Sequence, residues 1–185
     1  MQKPLITPDL LVEGIGCPVK VADWWDDHLN EAMYRFRIDN RNRVAAFVAQ
    51  VAHESGRFHF VREIWGPTPA QRRYEGRRDL GNLHTGDGKR FMGRGPIQIT
   101  GRANYRAFTK AIRTLIPDAP DFEAQPALLE LPRWGALAAG WFWDAHDLNG
   151  LADNQQITLI TRVINGGTNG LEERKRYWRQ MLAVL

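Results

Sequence analysis

The sequence of 185 residues has a formal net charge of +4 and an isoelectric point of about 9.5. Its length is sufficient for one domain with a proper hydrophobic core, so we predict a single domain over residues 1–185. The one cysteine, Cys17, excludes an internal disulfide framework and is typical of synthesis in a reducing cytoplasm. The positive charge favours an anionic partner.

Two further absences concern membranes. No stretch approaches the ~20 apolar residues that a membrane-spanning helix requires, and residues 1–4 lack the basic region and apolar core of a signal peptide. We therefore expect no stable insertion into a membrane and a cytoplasmic location in the producing cell. If the protein acts outside the cytoplasm, another component must release it.

Apolar residues at helical spacing, together with capping residues, predict a largely helical chain. Thr7 is a candidate N-cap followed by Pro8 at the first helical position, and Gly14 is the expected end of this helix. The polar break Asp39-Asn40-Arg41-Asn42 contains cap candidates for the helix that ends at Glu54. The predicted helices are 8–13, 19–36, 44–54, 104–116, 133–146, 156–164 and 171–185, with a short turn at 126–131.

Residues 65–95 are rich in Gly, Pro, Arg and Asp and lack helical periodicity, so we expect a long loop region, which in a compact domain is usually functional or disordered. Residues 91–101 then alternate polar and apolar side chains, which predicts a strand or hairpin lining a groove. On such a segment Gln98 and Thr100 face the same side. The predicted fold class is therefore mainly α (α+β), with a small extended region beside a cleft.

Two glutamates are the first candidates for chemistry. Phe47, Val51 and Glu54 share one helix face, so Glu54 is expected where the apolar core meets the surface. Apolar neighbours favour the protonated carboxyl, which is the form that a general acid needs. Glu63 follows nine residues later and could face Glu54 across a cleft. A solvated structural glutamate would give the same pattern. We expect no metal, because the position four residues after His53 is Arg57 rather than a second histidine.

Four blocks of sequence resemble glycoside hydrolase family 19, and in particular small phage endolysins related to plant chitinases. The blocks are 49–55 with Phe58, 60–63, 93–105 and 163–167. The pair of glutamates combined with the Gly-Arg-Gly-Pro-Ile-Gln-Ile-Thr segment is specific, whereas each block alone is weaker. The resemblance extends over nearly the whole chain and implies a lysozyme-like fold.

The resemblance implies that Glu54 is the general acid and that Glu63 is the general base, which activates a water on the opposite face of the sugar. Thr100 stands where the family has a hydroxyl that holds this water. Inversion in a single displacement requires carboxyls ~6.5–9.5 Å apart. The residues that resemble sugar-binding or cleft-supporting positions are His53, Gln98, Asn104 and Asn165. Trp65 and Tyr74, in the loop region, are our candidates for stacking on a sugar.

The chain also departs from the plant members of the family. It has no disulfides, and several plant sugar-binding loops are absent. Asn169 stands where plant chitinases have a glutamate after the Asn-Gly-Gly block, and Arg174 is a candidate for the basic member of the charge network there. A shorter cleft favours fewer sugar subsites.

We expect hydrolysis of the β-1,4 bonds of peptidoglycan glycan strands by a monomer without cofactor, released with the help of a phage holin and without a nucleic-acid partner. A chitinase acting on chitin oligomers is the first alternative. A non-catalytic module that binds glycan or nucleic acid is the second, and a lytic transglycosylase that uses a single glutamate is the third. The basic helix 171–185 is typical of a solvated face, but it could also attract an anionic cell wall or membrane.

Overall fold

The computed structural model describes residues 3–185, which fold into a mainly helical domain around one hydrophobic core. The α-helices are α1 (Pro8–Ile15), α2 (Val19–Arg35), α3 (Arg41–Glu54), α4 (Pro69–Arg72), α5 (Asp87–Arg90), α6 (Arg102–Leu115), α7 (Pro132–Ala145), α8 (Leu148–Asp153), α9 (Ile157–Asn165) and α10 (Leu171–Val184), with 3-10 turns at Arg78–Leu80 and Pro126–Glu130. No helix within residues 3–185 combines the length and apolar character needed to cross a bilayer.

The centre of the core is α3. Every residue from 44 to 52 is buried, and all of them except Gln50 are apolar, so this part of the helix buries its whole circumference. It packs against α10 and α8, while α2 packs against α7. Full burial of a side chain such as Phe47 contributes about 1.5–3 kcal/mol. The core therefore fixes the position of α3, and with it the position of Glu54 at the C-terminal end of that helix.

Most predicted helices are confirmed to within one to three residues at their ends. Thr7 accepts a hydrogen bond from the backbone N–H of Leu10, so the predicted cap of the first helix is confirmed. Of the candidates in the polar break 39–42, Asn40 is the cap, because it accepts a hydrogen bond from the backbone N–H of Arg43. Gly14 does not end the first helix. It lies inside α1 because α10 packs closely against it there, and Gly16 ends the helix instead.

Two regions differ from the sequence-based expectation. The loop region contains α4, a 3-10 turn and α5, which are too short to produce a visible helical period. The segment 91–101 forms only isolated antiparallel bridges, which pair Arg62 with Arg94 and Arg94 with Ile99. A longer ladder does not form because Gly95 and Gln98 both have positive φ and Pro96 lacks a backbone N–H. The predicted strand or hairpin is thus reduced to a compact turn.

Helix α8 was not predicted. Its sequence, Leu-Asn-Gly-Leu-Ala-Asp, contains three poor helix formers, which are Asn, Gly and Asp. Packing against α3 and α9 supplies the stability that local propensity does not.

Candidate active site

Glu54 ends α3 with its side chain 19% exposed. Its Oε1 accepts a hydrogen bond from Nη2 of Arg174, a residue of α10 that is completely buried. The same guanidinium donates to Oε1 of Gln50 and, over 3.3 Å, to the backbone carbonyl of Asn169. Gln50 in turn donates to Oγ1 of Thr161 over 2.9 Å. Glu54 is therefore the outermost member of a buried series of hydrogen-bonded polar side chains between α3 and α10.

This arrangement corrects the expectation of purely apolar surroundings for Glu54. A cation in direct contact stabilises the ionised carboxylate, whereas apolar neighbours would favour the neutral acid. Spacing along α3 correctly placed Glu54 at the edge of the core. It could not show Arg174, because basic residues on a helix such as α10 are usually solvated and only the docking of α10 on α3 buries this one.

His53, the residue before Glu54, is fixed by α10 as well. Its Nδ1 lies 2.7 Å from Oε2 of Glu173, and its ring fills the space where a side chain on Gly170 would project. Burial alone would raise the pKa of Glu173, but hydrogen bonds from His53 and Tyr177 outweigh that effect and the pKa is lowered. One nitrogen of the imidazole is therefore hydrogen-bonded to a charged carboxylate.

Glu63 follows α3 in an irregular segment and is bound at both carboxylate oxygens. Oε2 accepts the backbone N–H of Gly93 over 3.1 Å, and Oε1 accepts the side-chain amide of Gln71 over 2.9 Å. The hydroxyl of Tyr74 lies 3.4 Å from the same Oε1. The backbone N–H of Glu63 also donates to the carbonyl of Gly93 over 2.9 Å. These bonds orient the carboxylate.

Gly93 contacts Glu63 and lies close to the predicted site residues of the segment 91–101. A side chain on Gly93 would lie 2.6 Å from Oε1 of Gln98 and 3.3 Å from Oγ1 of Thr100. Thr100 donates its hydroxyl proton to the carbonyl of Gln98 over 2.9 Å, which leaves the oxygen free to accept. The amide of Asn104 donates to the carbonyl of Thr100 over 2.7 Å. The structure thus brings Glu63, Gln98, Thr100 and Asn104 into one neighbourhood.

Two cavities adjoin this neighbourhood. The larger, about 670 Å³, contains Glu63 in its wall, and the smaller, about 240 Å³, contains Gln98, Thr100 and Asn104. The larger cavity is also lined by His59, Phe60, Val61, Arg62, Ile64, Trp65, Lys89, Met92 and Glu130. Within residues 3–185, no group of three or more His, Cys, Asp and Glu side chains is arranged to hold a metal ion.

The two aromatic candidates occupy different places. Trp65 lines the larger cavity, whereas Tyr74 is half-buried and directs its hydroxyl at Glu63. Their rings are 6.3 Å apart and inclined at 44°. The pKa of Tyr74 is raised, first by burial and then by the negative charge of Glu63. Asn165 is the last residue of α9 and is exposed. The roles of these three residues in binding sugar remain predictions.

Gln71 is a contact of Glu63 that the sequence analysis did not predict. It contacts Glu63 directly and is only 4% exposed. A signal for it was present, because Thr68-Pro69-Ala70-Gln71 has the form of a capping box with proline at the first helical position, and the structure contains that box. The pattern predicts a short helix but does not predict that the glutamine also reaches a carboxylate.

Comparison with known proteins identifies the family. The family model described as chitinase class I, of glycoside hydrolase family 19, matches residues 36–158. A family 19 domain-containing protein of Haemophilus influenzae is 31% identical over 172 residues, which cover 78% of this chain and 81% of that protein. An endochitinase of Arabidopsis thaliana is 35% identical over 158 residues, which cover 83% of this chain but 51% of the plant protein.

The fold agrees with this assignment. The crystal structure of chitinase C from Streptomyces griseus superposes with a TM-score of 0.77 at 18% sequence identity, covering 100% of this chain and 94% of that one. A class IV chitinase from Zea mays superposes with a TM-score of 0.60 at 19% identity, covering 97% of this chain and 81% of that chain. On the combined evidence of sequence and fold, the chain belongs to glycoside hydrolase family 19 and is a chitinase-like glycosidase.

Proposed function

We propose that this glycosidase hydrolyses the β-1,4 bonds of bacterial peptidoglycan with inversion, using Glu54 as the general acid and Glu63 as the general base. The observation that carries the assignment of the base is the set of donors on Glu63, which are the Gln71 amide, the Gly93 N–H and the Tyr74 hydroxyl. Such donors favour the ionised carboxylate, which is the form that takes a proton from water. The hydroxyl oxygen of Thr100 can still accept a hydrogen bond, and we propose that it is the second group that holds this water.

The proposed acid must carry a proton although it contacts Arg174. A protonated carboxyl keeps one oxygen as an acceptor. Oε1 of Glu54 can therefore keep its bond with Arg174 while Oε2 carries the proton to the leaving oxygen. The guanidinium then stabilises the carboxylate that remains after the proton has been given up.

Charge supports peptidoglycan as the substrate. Peptidoglycan has carboxylates on its stem peptides and on any lactyl group without an attached peptide, whereas chitin is neutral. The chain has a net charge of +4, and two of its cations, Arg62 and Lys89, lie in the wall of the cavity that contains Glu63. The same wall also contains Glu63 and Glu130, and Arg62 pairs with Glu130 over 3.7 Å. The support therefore comes from the net positive charge of the whole chain, which favours association with an anionic polymer.

Chitin is the second candidate substrate. The observation in its favour is the relationship to proteins described as endochitinases, such as the Arabidopsis protein that is 35% identical over 158 residues. The proposed acid and base apply equally to this substrate, so only the product distribution on the two polymers separates the two functions.

For the biological setting we propose a monomeric endolysin, made in the cytoplasm of a phage-infected cell and released to the wall through a holin. Support comes from the resemblance to small phage endolysins and from a sequence with one cysteine and no disulfide framework. Within this proposal, neither nucleic acid nor a membrane is a stable partner.

The decisive experiment is mass spectrometry of soluble products from purified peptidoglycan, made by the wild type and by Glu54→Gln and Glu63→Gln. We expect new reducing ends with the wild type and loss of at least ~100-fold in rate with either variant at an unchanged circular dichroism spectrum. Glu172→Gln is the matched control, since Glu172 is 80% exposed and pairs only with Lys175. The anomer released first, observed by NMR, should be inverted.

Other outcomes would identify the alternatives. Anhydro-MurNAc ends produced by both the wild type and Glu63→Gln would mean a lytic transglycosylase and contradict the role of Glu63. Products from chitin oligomers but none from peptidoglycan would mean a chitinase. Salt-dependent binding to either polymer without any product would mean a binding module.

A further inference from the structure

The side chain of Gln71 uses its full hydrogen-bonding capacity beside Glu63. Its Nε2 donates to Oε1 of Glu63 over 2.9 Å and to the carbonyl of Ile64 over 2.8 Å. Its Oε1 accepts the backbone N–H of Gly66 over 3.1 Å and that of Thr68 over 2.7 Å. A primary amide can donate two hydrogen bonds and accept two, so every position is filled.

These four bonds also fix which end of the amide faces Glu63. The two backbone N–H groups of Gly66 and Thr68 need an acceptor, and the two oxygens of Glu63 and Ile64 need a donor. A flipped amide would place donor against donor and acceptor against acceptor at all four contacts. The nitrogen of Gln71 is therefore held toward Glu63, in a side chain that is 4% exposed.

We propose that Gln71 is the positioning residue of the general base, which presents a neutral N–H donor to Glu63 and keeps its carboxylate ionised and oriented. Together with the N–H of Gly93 on Oε2, this donor on Oε1 prevents rotation of the carboxylate. The inference rests on the proposed role of Glu63 as the base. It adds that the short helix α4 has a function in catalysis besides closing the loop region.

Replacing Gln71 by glutamate tests the electrostatic part of this inference with little change of shape. The new carboxylate would keep its acceptor toward Gly66 and Thr68, but it would bring a second acceptor against Oε1 of Glu63. Two carboxylates at this distance cannot both stay ionised, so the pKa of the pair is raised. The acidic limb of the kcat/KM profile depends on an ionised base in the free enzyme. We expect this limb to move upward by about one pH unit or more in Gln71→Glu.

Gln71→Met tests orientation without adding charge. We expect kcat to fall ~10-fold or more with little change in KM, because a base that is no longer held in place weakens the transition state and not the binding of substrate. Its acidic limb should stay below that of Gln71→Glu. The substrate for both variants is the uncross-linked glycan strand of peptidoglycan, or chitin oligomers if the wild type cleaves only those.

Thr68→Ala is the matched control for loss of local structure. The hydroxyl of Thr68 accepts the backbone N–H of Gln71 over 3.2 Å, so this variant breaks the same capping box. It leaves the amide of Gln71 on Glu63. If Gln71 were merely structural, Thr68→Ala and Gln71→Met would lose activity alike. If it positions the base, Thr68→Ala keeps kcat within ~3-fold of the wild type and has the wild-type pH profile.

An unshifted acidic limb in Gln71→Glu, or an equal loss of kcat in Thr68→Ala and Gln71→Met, would overturn the inference. Both results are separable from failure of the proposed function. Full activity of Glu63→Gln would remove the base itself. An inactive Glu63→Gln combined with an unshifted Gln71→Glu would leave the base in place and reject only the role of Gln71.

Discussion

At the scale of single residues, the imidazole of His53 has little freedom. Glu173 binds its Nδ1, and the ring occupies the space that a side chain on Gly170 would need. Gly170 also has φ +70, a left-handed conformation that disfavours residues with a Cβ. The ring beside Glu54 is therefore held from two sides by the start of α10.

We predict that Gly170→Ala both destabilises the protein and lowers its activity. A positive φ alone costs an alanine about 1–2 kcal/mol, and displacement of the His53 ring adds about 1–3 kcal/mol. Denaturant unfolding measures the loss of stability, and the rate of wall lysis measures the loss of activity.

Gly76→Ala is the control for this prediction, because Gly76 has φ +68 and nothing lies within 4 Å of the position of its Cβ. It should lose only the conformational part of the stability and keep full activity. Equal losses in the two variants would mean that the packing of His53 on Gly170 does not matter.

At the scale of elements, α3 is the helix on which the proposed acid depends, and Asn40 begins it. The side-chain oxygen of Asn40 accepts the N–H of Arg43 over 3.0 Å, and its amide donates to Asp153 over 2.8 Å. One residue thus caps α3 and ties it to the end of α8.

We predict that Asn40→Ala lowers the free energy of unfolding by about 1–2 kcal/mol, because an orphan N–H of the first turn loses its acceptor. Asn40→Ser should recover most of this loss, since serine caps as well as asparagine but cannot reach Asp153 in the same way. Thermal unfolding followed by circular dichroism measures both. A serine variant as unstable as the alanine variant would show that the bond to Asp153 matters more than the cap.

The elements differ in how well the sequence predicts them. Long helices such as α2 and α10 show repeated apolar spacing and were placed within one residue at each end. Helix α8 is short and includes Gly150, so its stability comes from packing that a local pattern does not contain. The left-handed backbone of Gln98, which a non-glycine residue rarely adopts, breaks the expected alternation in 91–101.

The candidate site, like the helices, was predicted from the sequence only in part. Glu54 was predicted at the edge of the core from its helix face, and Glu63 was singled out as its partner from the sequence. The resemblance named Arg174 as a candidate for the basic member of a charge network, but its contact with Glu54 was not predicted, because the two residues are 120 positions apart along the chain. The contact of Gly93 with Glu63, over 30 positions, was not predicted either. Only the fold decides contacts of this kind.

At the scale of the whole molecule, a network of charges joins the loop region to α6 and to the segment before the 3-10 turn at Pro126–Glu130. Arg102 pairs with Asp87 and, over 2.9 Å, with Glu123, and Arg106 pairs with Glu123 over 2.6 Å. The guanidinium of Arg106, and then that of Arg102, lower the pKa of Glu123 to about 2 against the opposing effect of burial.

This network predicts a loss of stability in acid. A carboxyl whose pKa is lower in the folded protein than in the unfolded chain stabilises the fold above the unfolded value of 4.5, and this contribution disappears as the pH falls from about 4.5 to about 2. Glu123→Gln should therefore lower the free energy of unfolding at pH 7 by about 1–2 kcal/mol, a discounted value because the carboxylate is 24% exposed.

The measurement is thermal unfolding of both proteins from pH 7 to pH 2. The difference between the wild type and Glu123→Gln should shrink as the pH falls and vanish near pH 2. Glu172→Gln, at a glutamate that is 80% exposed, should show no such dependence. A difference between wild type and Glu123→Gln that stays constant with pH would exclude the ion pairs as its source.

The burial of Arg174 between α3 and α10 has a consequence for the order in which the chain is made. Glu54 and Glu63 leave the ribosome long before residues 171–184 are translated. Until then Glu54 has no guanidinium beside it, and His53 has no Glu173. A nascent chain that has emerged only as far as α9 therefore contains both proposed catalytic glutamates in an incomplete site, and α10, which is synthesised later, completes it.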